Sequence, residues 1–101
     1  MYIRFELVEH MDPSVFKALS DANRLMIVGM LSDEEICACR ILEALDITQP
    51  TLSHHMKVLS QCGLVNVRKS GQWSYYSIDQ GVLDELIRFF QSMRKDPNDS
   101  E

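Results

Sequence analysis

Two cysteines one residue apart, in Glu35-Ile-Cys-Ala-Cys39, are the side chains in this sequence best suited to chemistry. A thiolate is a strong nucleophile and a soft-metal ligand, and a pair of them suits a thiophilic ion or a redox signal. Ser32 and Glu35 have the S-x-x-E form of a capping box and predict a helix from there to about Leu45. On that helix Ala38, Ile41, Leu42 and Leu45 define the packed side, Cys37 lies at its edge, and Cys39 is exposed beside Arg40. An exposed thiol near a helix N-terminus and a cation should lose its proton readily. The alternative is that both cysteines are small hydrophobes, which suits Cys37 better than Cys39. Helical residues two apart diverge by about 200°, so one ion takes both sulfurs only if the first turn is frayed or unwinds, which is expected on binding, or else a ligand bridges subunits. Cys62 is the remaining thiol; it is the lesser metal candidate and is expected to pack. Cys-x-x-Cys is absent, no phosphate cradle follows a strand, and no base partners the thiols, so an enzyme is not expected.

The elements around this pair follow from local signals. Asp12-Pro13 opens a first helix with Val15, Phe16 and Leu19 on one face. Asp21 caps a second, whose Leu25, Met26, Val28 and Leu31 are expected to point inward. After the cysteine helix, Asp46-Ile47-Thr48 makes a turn, and a fourth helix starts at Thr48-Gln49-Pro50 and ends at Gly63. Two helices joined so closely read as helix-turn-helix. Leu64 to Lys69 and Gln72 to Ile78 form a β-hairpin around Ser70-Gly71. From Asp79 a last helix carries more apolar residues than one stripe needs. Leu83, Leu86, Ile87 and Phe90 are assigned to the core, and Val82, Phe89 and Met93 to another subunit. Residues 2–8 read as an extra turn or an arm over a partner, and His10 as a solvated residue or a donor from a neighbouring subunit.

Charge singles out the fourth helix. The chain carries a formal charge of −5, yet residues 47–78 contain none of its 15 carboxylates and do contain Lys57, Arg68 and Lys69. A positive patch on an acidic body is a usable phosphate-facing surface. On the fourth helix Leu52, Met56 and Leu59 define the buried side, leaving Ser53, His54, Lys57 and Gln61 outward. Gln49 and Thr51 lie in the first turn, where a recognition helix usually meets bases. The DNA-facing set is therefore Gln49, Thr51, Ser53, His54 and Lys57, with Arg68, Lys69 and Gln72 as a wing. His55 sits near the edge of the buried side, as a packed or a contacting residue. Trp73, Tyr75 and Tyr76 are expected to pack the hairpin onto the body, because a duplex offers no free base faces.

At 101 residues with 46% hydrophobic content, the chain fits a single soluble domain, small enough for self-association to help stabilise it. Residues 1–95 are assigned to a DNA-binding and dimerisation domain and 96–101 to a disordered acidic tail. No apolar run approaches the ~20 residues that cross a bilayer, and the N-terminus lacks a secretory layout. A cytoplasmic protein with reduced thiols and no membrane partner is expected.

Five ordered blocks carry a family resemblance: Ala18-Leu-Ser-Asp-Ala-Asn-Arg-Leu25, Glu35-Ile-Cys-Ala-Cys39, Gln49-Pro-Thr-Leu-Ser-His-His-Met-Lys-Val-Leu59, Gly63-Leu-Val and Gly71-Gln-Trp-Ser-Tyr-Tyr76. Together they resemble the ArsR/SmtB family of winged-helix repressors over about residues 10 to 94. The resemblance implies a mainly α fold of about five helices with a two-stranded wing, a winged helix-turn-helix. It also implies a homodimer formed through the first and last helices, binding double-stranded operator DNA until a metal or metalloid releases it. Members beginning this helix Glu-Leu-Cys-Val-Cys sense arsenite, antimonite, cadmium or lead, so arsenic(III) or antimony(III) on Cys37 and Cys39 is the expected inducer, with no organic cofactor. A cadmium, lead or redox sensor, or a regulator with no small ligand, are the alternatives. Departures from the family narrow the site. The third cysteine of one arsenite-sensing type is Leu42 here, and no cysteine precedes Cys37. The zinc-sensing pattern of the last helix is broken by Gly81, Ser92 and Lys95 around Asp79, so zinc is not expected there.

Overall fold

Aspartates set the starts of the first two helices, as their types demand. The computed structural model describes residues 11–95; the expectations for residues 2–8, His10 and 96–101 lie outside them. The Asp12 carboxylate accepts from the Ser14 N–H ahead of α1 (Ser14–Ala18). Asp21 accepts from the N–H groups of Asn23 and Arg24 and caps α2 (Ala22–Met30). These are donors a helix start leaves unpaired. Within α2 the buried side is only partly the expected one. The following Leu31 is buried as expected and Val28 is half-buried, but Ile27 is buried as well, whereas Leu25 and Met26 are 56% and 55% exposed. Phe16, assigned to the inner face of α1, is also exposed, and Ala18 takes its place beside Val15.

The largest departure lies at the thiols. No helix starts at Ser32. Instead Ile36–Cys37 form a two-residue strand, β1, and α3 spans Ala38–Leu45. The capping box fails because its glutamate is used elsewhere and the next residue is drawn into the sheet. Ile36 is buried opposite Tyr76, and the Glu35 carboxylate goes to a distant arginine. Asp46 closes α3 in the left-handed region at φ 52°, which aspartate tolerates better than most side chains. Helix α4 (Gln49–Gln61) then begins as expected, with Pro50 in its first turn and the Thr48 hydroxyl accepting from the Thr51 N–H. Gly63, at φ 88°, follows its end.

The hairpin forms as β2 (Val65–Ser70) and β3 (Trp73–Ile78), turning at Gly71 with φ 63°. The short β1 adds to it, giving an antiparallel sheet of order β1-β3-β2 where only two strands were expected. Its register places Cys37, Tyr75 and Arg68 side by side on one face and Ile36, Tyr76 and Val67 on the other. The core comes from every neighbouring element: Ile27, Leu31, Ile41, Leu59 and Leu64 are its largest fully buried side chains.

Contacts divide the chain into two units, one of them Asp12–Asp79. Helix α5 (Gln80–Met93) belongs to the other. Along it Leu86 is buried, Val82, Leu83 and Phe89 are half-buried, and Met93 is exposed. Ile87 and Phe90, assigned to the core from sequence, are instead 43% and 55% exposed. The described residues thus hold five helices and three strands. None of these helices is long and apolar enough to cross a membrane.

Candidate functional site

Cys37 and Cys39 converge because only one of them is helical. Cys37 has extended backbone, φ −70° and ψ 143°, and acts as the N-cap of α3; Cys39 is in the first turn. Leaving the helix removes the 200° divergence that two helical positions would impose. The sulfurs lie 2.8 Å apart, with the Cys39 thiol donating to Cys37 Sγ, which also accepts from the Cys39 N–H at 3.4 Å. No unwinding of the helix is needed to bring the pair together. Cys37 is half-buried and Cys39 exposed.

The two thiols are made unequal by this arrangement. The hydrogen bond from the Cys39 thiol, then that from its N–H, stabilises a thiolate on Cys37 and holds its pKa below the usual thiol value. The same bond keeps the proton on Cys39, whose pKa is raised. This reverses the order expected from sequence, where exposure and Arg40 favoured Cys39. Arg40 is turned to Glu34, at 3.5 Å. As pH is raised from neutrality, iodoacetamide should therefore modify Cys37 first and Cys39 only later, read by peptide mass mapping of timed samples. Equal labelling at every pH would mean that the sulfur–sulfur hydrogen bond does not persist in solution.

The thiol strand is tied to the wing twice. The first tie is the backbone pairing of β1 with β3. The second is a bidentate ion pair in which Arg68 donates to both Glu35 oxygens, at 2.9 and 2.7 Å, while its guanidinium lies 4.6 Å from the centre of the Tyr75 ring. The hydrogen bonds from Arg68 hold the Glu35 carboxyl below its ordinary range. A depressed carboxyl contributes while pH stays above its unfolded value and loses that contribution as pH falls through the folded one. The clasp is thus closed at neutral pH and opens only in acid. Sequence reasoning missed Glu35 as a partner, because its spacing from Ser32 offered a competing local use.

The remaining expected residues fall on the surface of α4 and the wing. Gln49, Thr51, Ser53, His54, Lys57, Lys69 and Gln72 are all exposed. The Thr51 hydroxyl already accepts from Thr48, at 2.8 Å. Behind this surface His55 is only 6% exposed, and its Nδ1 lies 3.0 Å from Arg24 Nη1. Arginine has only donors, so this nitrogen accepts. Arg24 also donates to the Ala18 carbonyl, so one side chain ties the end of α1 to the back of α4. Cys62 is buried and its thiol donates to the Leu59 carbonyl. Trp73, expected to pack against the body, is 49% exposed, while Tyr76 is buried.

A half-open cleft of about 180 Å³ lies where these parts meet. Cys39 and Leu42 of α3, Gln49 and Ser53 of α4, and Gln72 and Trp73 of the wing are in its walls. It therefore adjoins one sulfur of the pair and three of the residues expected to face DNA. Among the described residues, no group of three or more cysteines, histidines and carboxylates is placed to hold a metal.

The chain matches the description "Bacterial regulatory protein, arsR family" over residues 21–67. It is similar to an arsenical resistance operon repressor of Staphylococcus aureus, with 45% identity over 75 residues that span 74% of this chain and 72% of that protein. A cadmium resistance transcriptional regulatory protein CadC homolog of the same organism is 39% identical over 74 residues, 72% of this chain and 61% of that one. Among solved structures, HlyU from Vibrio cholerae N16961 is 30% identical with a TM-score of 0.66, over 79% of this chain and 88% of that one. With a helix-turn-helix, a wing and these relatives, the chain belongs to the arsR family of bacterial regulatory proteins, winged-helix DNA-binding transcription regulators and not enzymes.

Proposed function

We propose that this chain is a metalloid-responsive repressor that binds operator DNA as a dimer and releases it when arsenite or antimonite binds Cys37 and Cys39. The observation that carries the reading is the convergence of two sulfurs to 2.8 Å at the start of α3, on a strand paired with the wing. Thiolates are soft donors, and two of them on adjacent elements suit a trivalent metalloid. The Staphylococcus aureus repressor of arsenical resistance is the relative in keeping with it.

In this reading Gln49, Thr51, Ser53 and His54 of α4 meet base edges and Lys57 a phosphate, while Lys69 and Gln72 extend the contact from the wing. Val82, Phe89 and Met93 of α5 carry the contact between subunits. Arg68 reaches phosphate only by exchanging Glu35 for it. When both thiols act as ligands they give up their protons, and with them the sulfur–sulfur hydrogen bond. The cap of α3 and the end of β1 respond together, because Cys37 belongs to both. Their movement reaches the wing through the β1–β3 pairing and the Glu35–Arg68 clasp. This route replaces the unwinding of the helix expected from sequence. Release follows only if the ligand binds the weak-affinity conformation better than the DNA-bound one.

The test is a titration of the reduced protein with arsenite, antimonite, cadmium, lead and zinc, recording thiolate absorption and operator release together. Stoichiometric uptake of arsenite that leaves the operator bound would sink the proposal. Cadmium is a second reading, favoured by the cadmium regulator among the relatives. The donor set favours the metalloid, since tetrahedral thiolate sites need four ligands and the described residues bring together two.

Two variants probe the DNA surface. Lys57→Ala should lower the slope of log affinity against log salt by about 1.8, the counterions released by one phosphate contact in each of the two subunits. An unaltered slope would remove Lys57 from the interface. Glu35→Gln should free Arg68 of both subunits for phosphate, steepening that slope by a similar amount, about 1.8, and blunting the response to arsenite. A variant that responds to arsenite like the parent would show that the clasp does not transmit the signal.

A further inference from the structure

A second cleft, away from Cys37 and Cys39, is walled by α1, α2 and α4 and lies wholly within the unit Asp12–Asp79. We infer that it binds a small organic anion, a flat apolar body carrying one carboxylate, and that this ligand competes with operator DNA for the outer face of α4.

Charge selects an anion. The chain carries 15 carboxylates, yet none is in the walls of this cleft, whereas Lys17 of α1, Arg24 of α2 and the His54 imidazole of α4 are. Arg24 is held in place by donating to the Ala18 carbonyl and to His55 Nδ1, neither of which is negatively charged. Those bonds use two of its five N–H donors, which leaves its charge and the other donors for a carboxylate. Asp21 is engaged as the cap of α2, and among the described residues no carboxylate forms an ion pair with Arg24 or Lys17. A cation fixed before the ligand arrives adds little ordering cost to binding. Lys17, exposed on a flexible stem, can follow the carboxylate from the other side.

Size and surface select an organic body over a bare ion. The cleft holds about 310 Å³, at the lower end of small-molecule sites and about twice the ~150 Å³ cavity that takes benzene. Ala18, Val58 and Cys62 supply its apolar wall. The Cys62 thiol already donates to the Leu59 carbonyl, so it presents as a small hydrophobe. His54 links the site to function. It is exposed on the face of α4 assigned to base edges, and it is also in the wall of the cleft. An anion bound beside it engages the imidazole and places negative charge where DNA phosphates must approach. That competition rests on the DNA-facing reading of α4 proposed above; the binding site itself does not.

Naphthoate is the probe, and naphthamide, of the same shape without the charge, its control. Each is titrated into isotope-labelled reduced protein and followed by amide chemical shifts. Shifts should centre on Ser14, Lys17, Ala18, Val58 and Cys62, with naphthoate bound about tenfold more tightly than naphthamide, a difference of about 1.4 kcal/mol. Lys17→Met keeps the stem and removes the charge from an exposed side chain. It should lower naphthoate affinity about fivefold, the loss of one exposed charge contact, and leave naphthamide binding as it was. Saturating naphthoate should weaken operator binding without arsenite, and equally when Cys37 and Cys39 are replaced by serine. Equal affinity for acid and amide, or naphthoate affinity untouched by Lys17→Met, overturns the inference. Naphthoate bound in the cleft of a protein that keeps its operator affinity overturns the competition, and the Lys57→Ala slope shows whether the DNA-facing reading of α4 has failed with it. If naphthoate does not bind and Lys17→Met instead lowers the salt slope of operator binding by about 1.8, the cleft belongs to operator phosphate and the inference falls.

Discussion

With Cys37 and Cys39 both replaced by serine, operator affinity should stay within about twofold, under 0.5 kcal/mol, while release by arsenite disappears. The structure makes this substitution mild. Cys39 is exposed and Cys37 half-buried, so neither change opens a hole in the core. Cys37 also caps α3 with its sulfur, and serine is among the best N-cap residues, so the helix start should be kept or improved. Oxygen is a hard donor and a poor exchange for thiolate toward a soft ion. Binding is therefore lost without a structural cost that would confuse the result. An electrophoretic shift with and without arsenite, alongside a thermal melt, measures both halves. Release of the variant at the arsenite concentration that releases the parent would place the effector site elsewhere. Loss of operator binding in a folded variant would instead show that the thiols belong to the DNA-bound conformation.

Leu59→Ala should be the costliest of the single changes. Leu59 is 0% exposed and lies on the inner side of α4. Truncating such a leucine typically costs about 2–5 kcal/mol, from lost burial and the cavity left behind. A domain of this size is stable by about 5–15 kcal/mol, so much of its margin would go. The melting temperature should fall by about 4–8 °C for each kcal/mol. Leu25→Ala is the companion measurement. It removes the same atoms from a side chain that is 56% exposed, and should stay within about 0.5 kcal/mol. Comparable losses for the two would mean that α2 turns its Leu25 face inward in solution, as its spacing first implied.

That pair of leucines shows where reading along the chain succeeds and where it falls short. On α4 the inner side was legible because Leu52, Met56 and Leu59 recur at helical spacing among polar residues, and all three are buried. On α2 apolar residues occur almost all round, and spacing alone does not choose between Leu25 and Ile27. The choice is made by what packs against the helix. The wing was legible from β-favouring residues around a glycine that adopts positive φ. Its third strand was not, because two residues carry no periodicity.

The thiol site gives the same lesson at closer range. Sequence alone determined that two cysteines share one short segment, that a helix with a carboxylate-free surface follows, and that a glycine-turned hairpin comes after it. Those conclusions rest on side-chain type, near-neighbour spacing and local backbone preference, all of which act over a few residues. Tertiary structure decided the rest. Burial of Ile36 opposite Tyr76 drew the segment before α3 into a strand, and Arg68 took the carboxylate that would have capped a longer helix. Only with Cys37 extended and Cys39 helical do the sulfurs meet. Strand pairing and a bidentate ion pair over 33 residues outcompeted a local cap, and neither can be read from neighbouring positions in the chain.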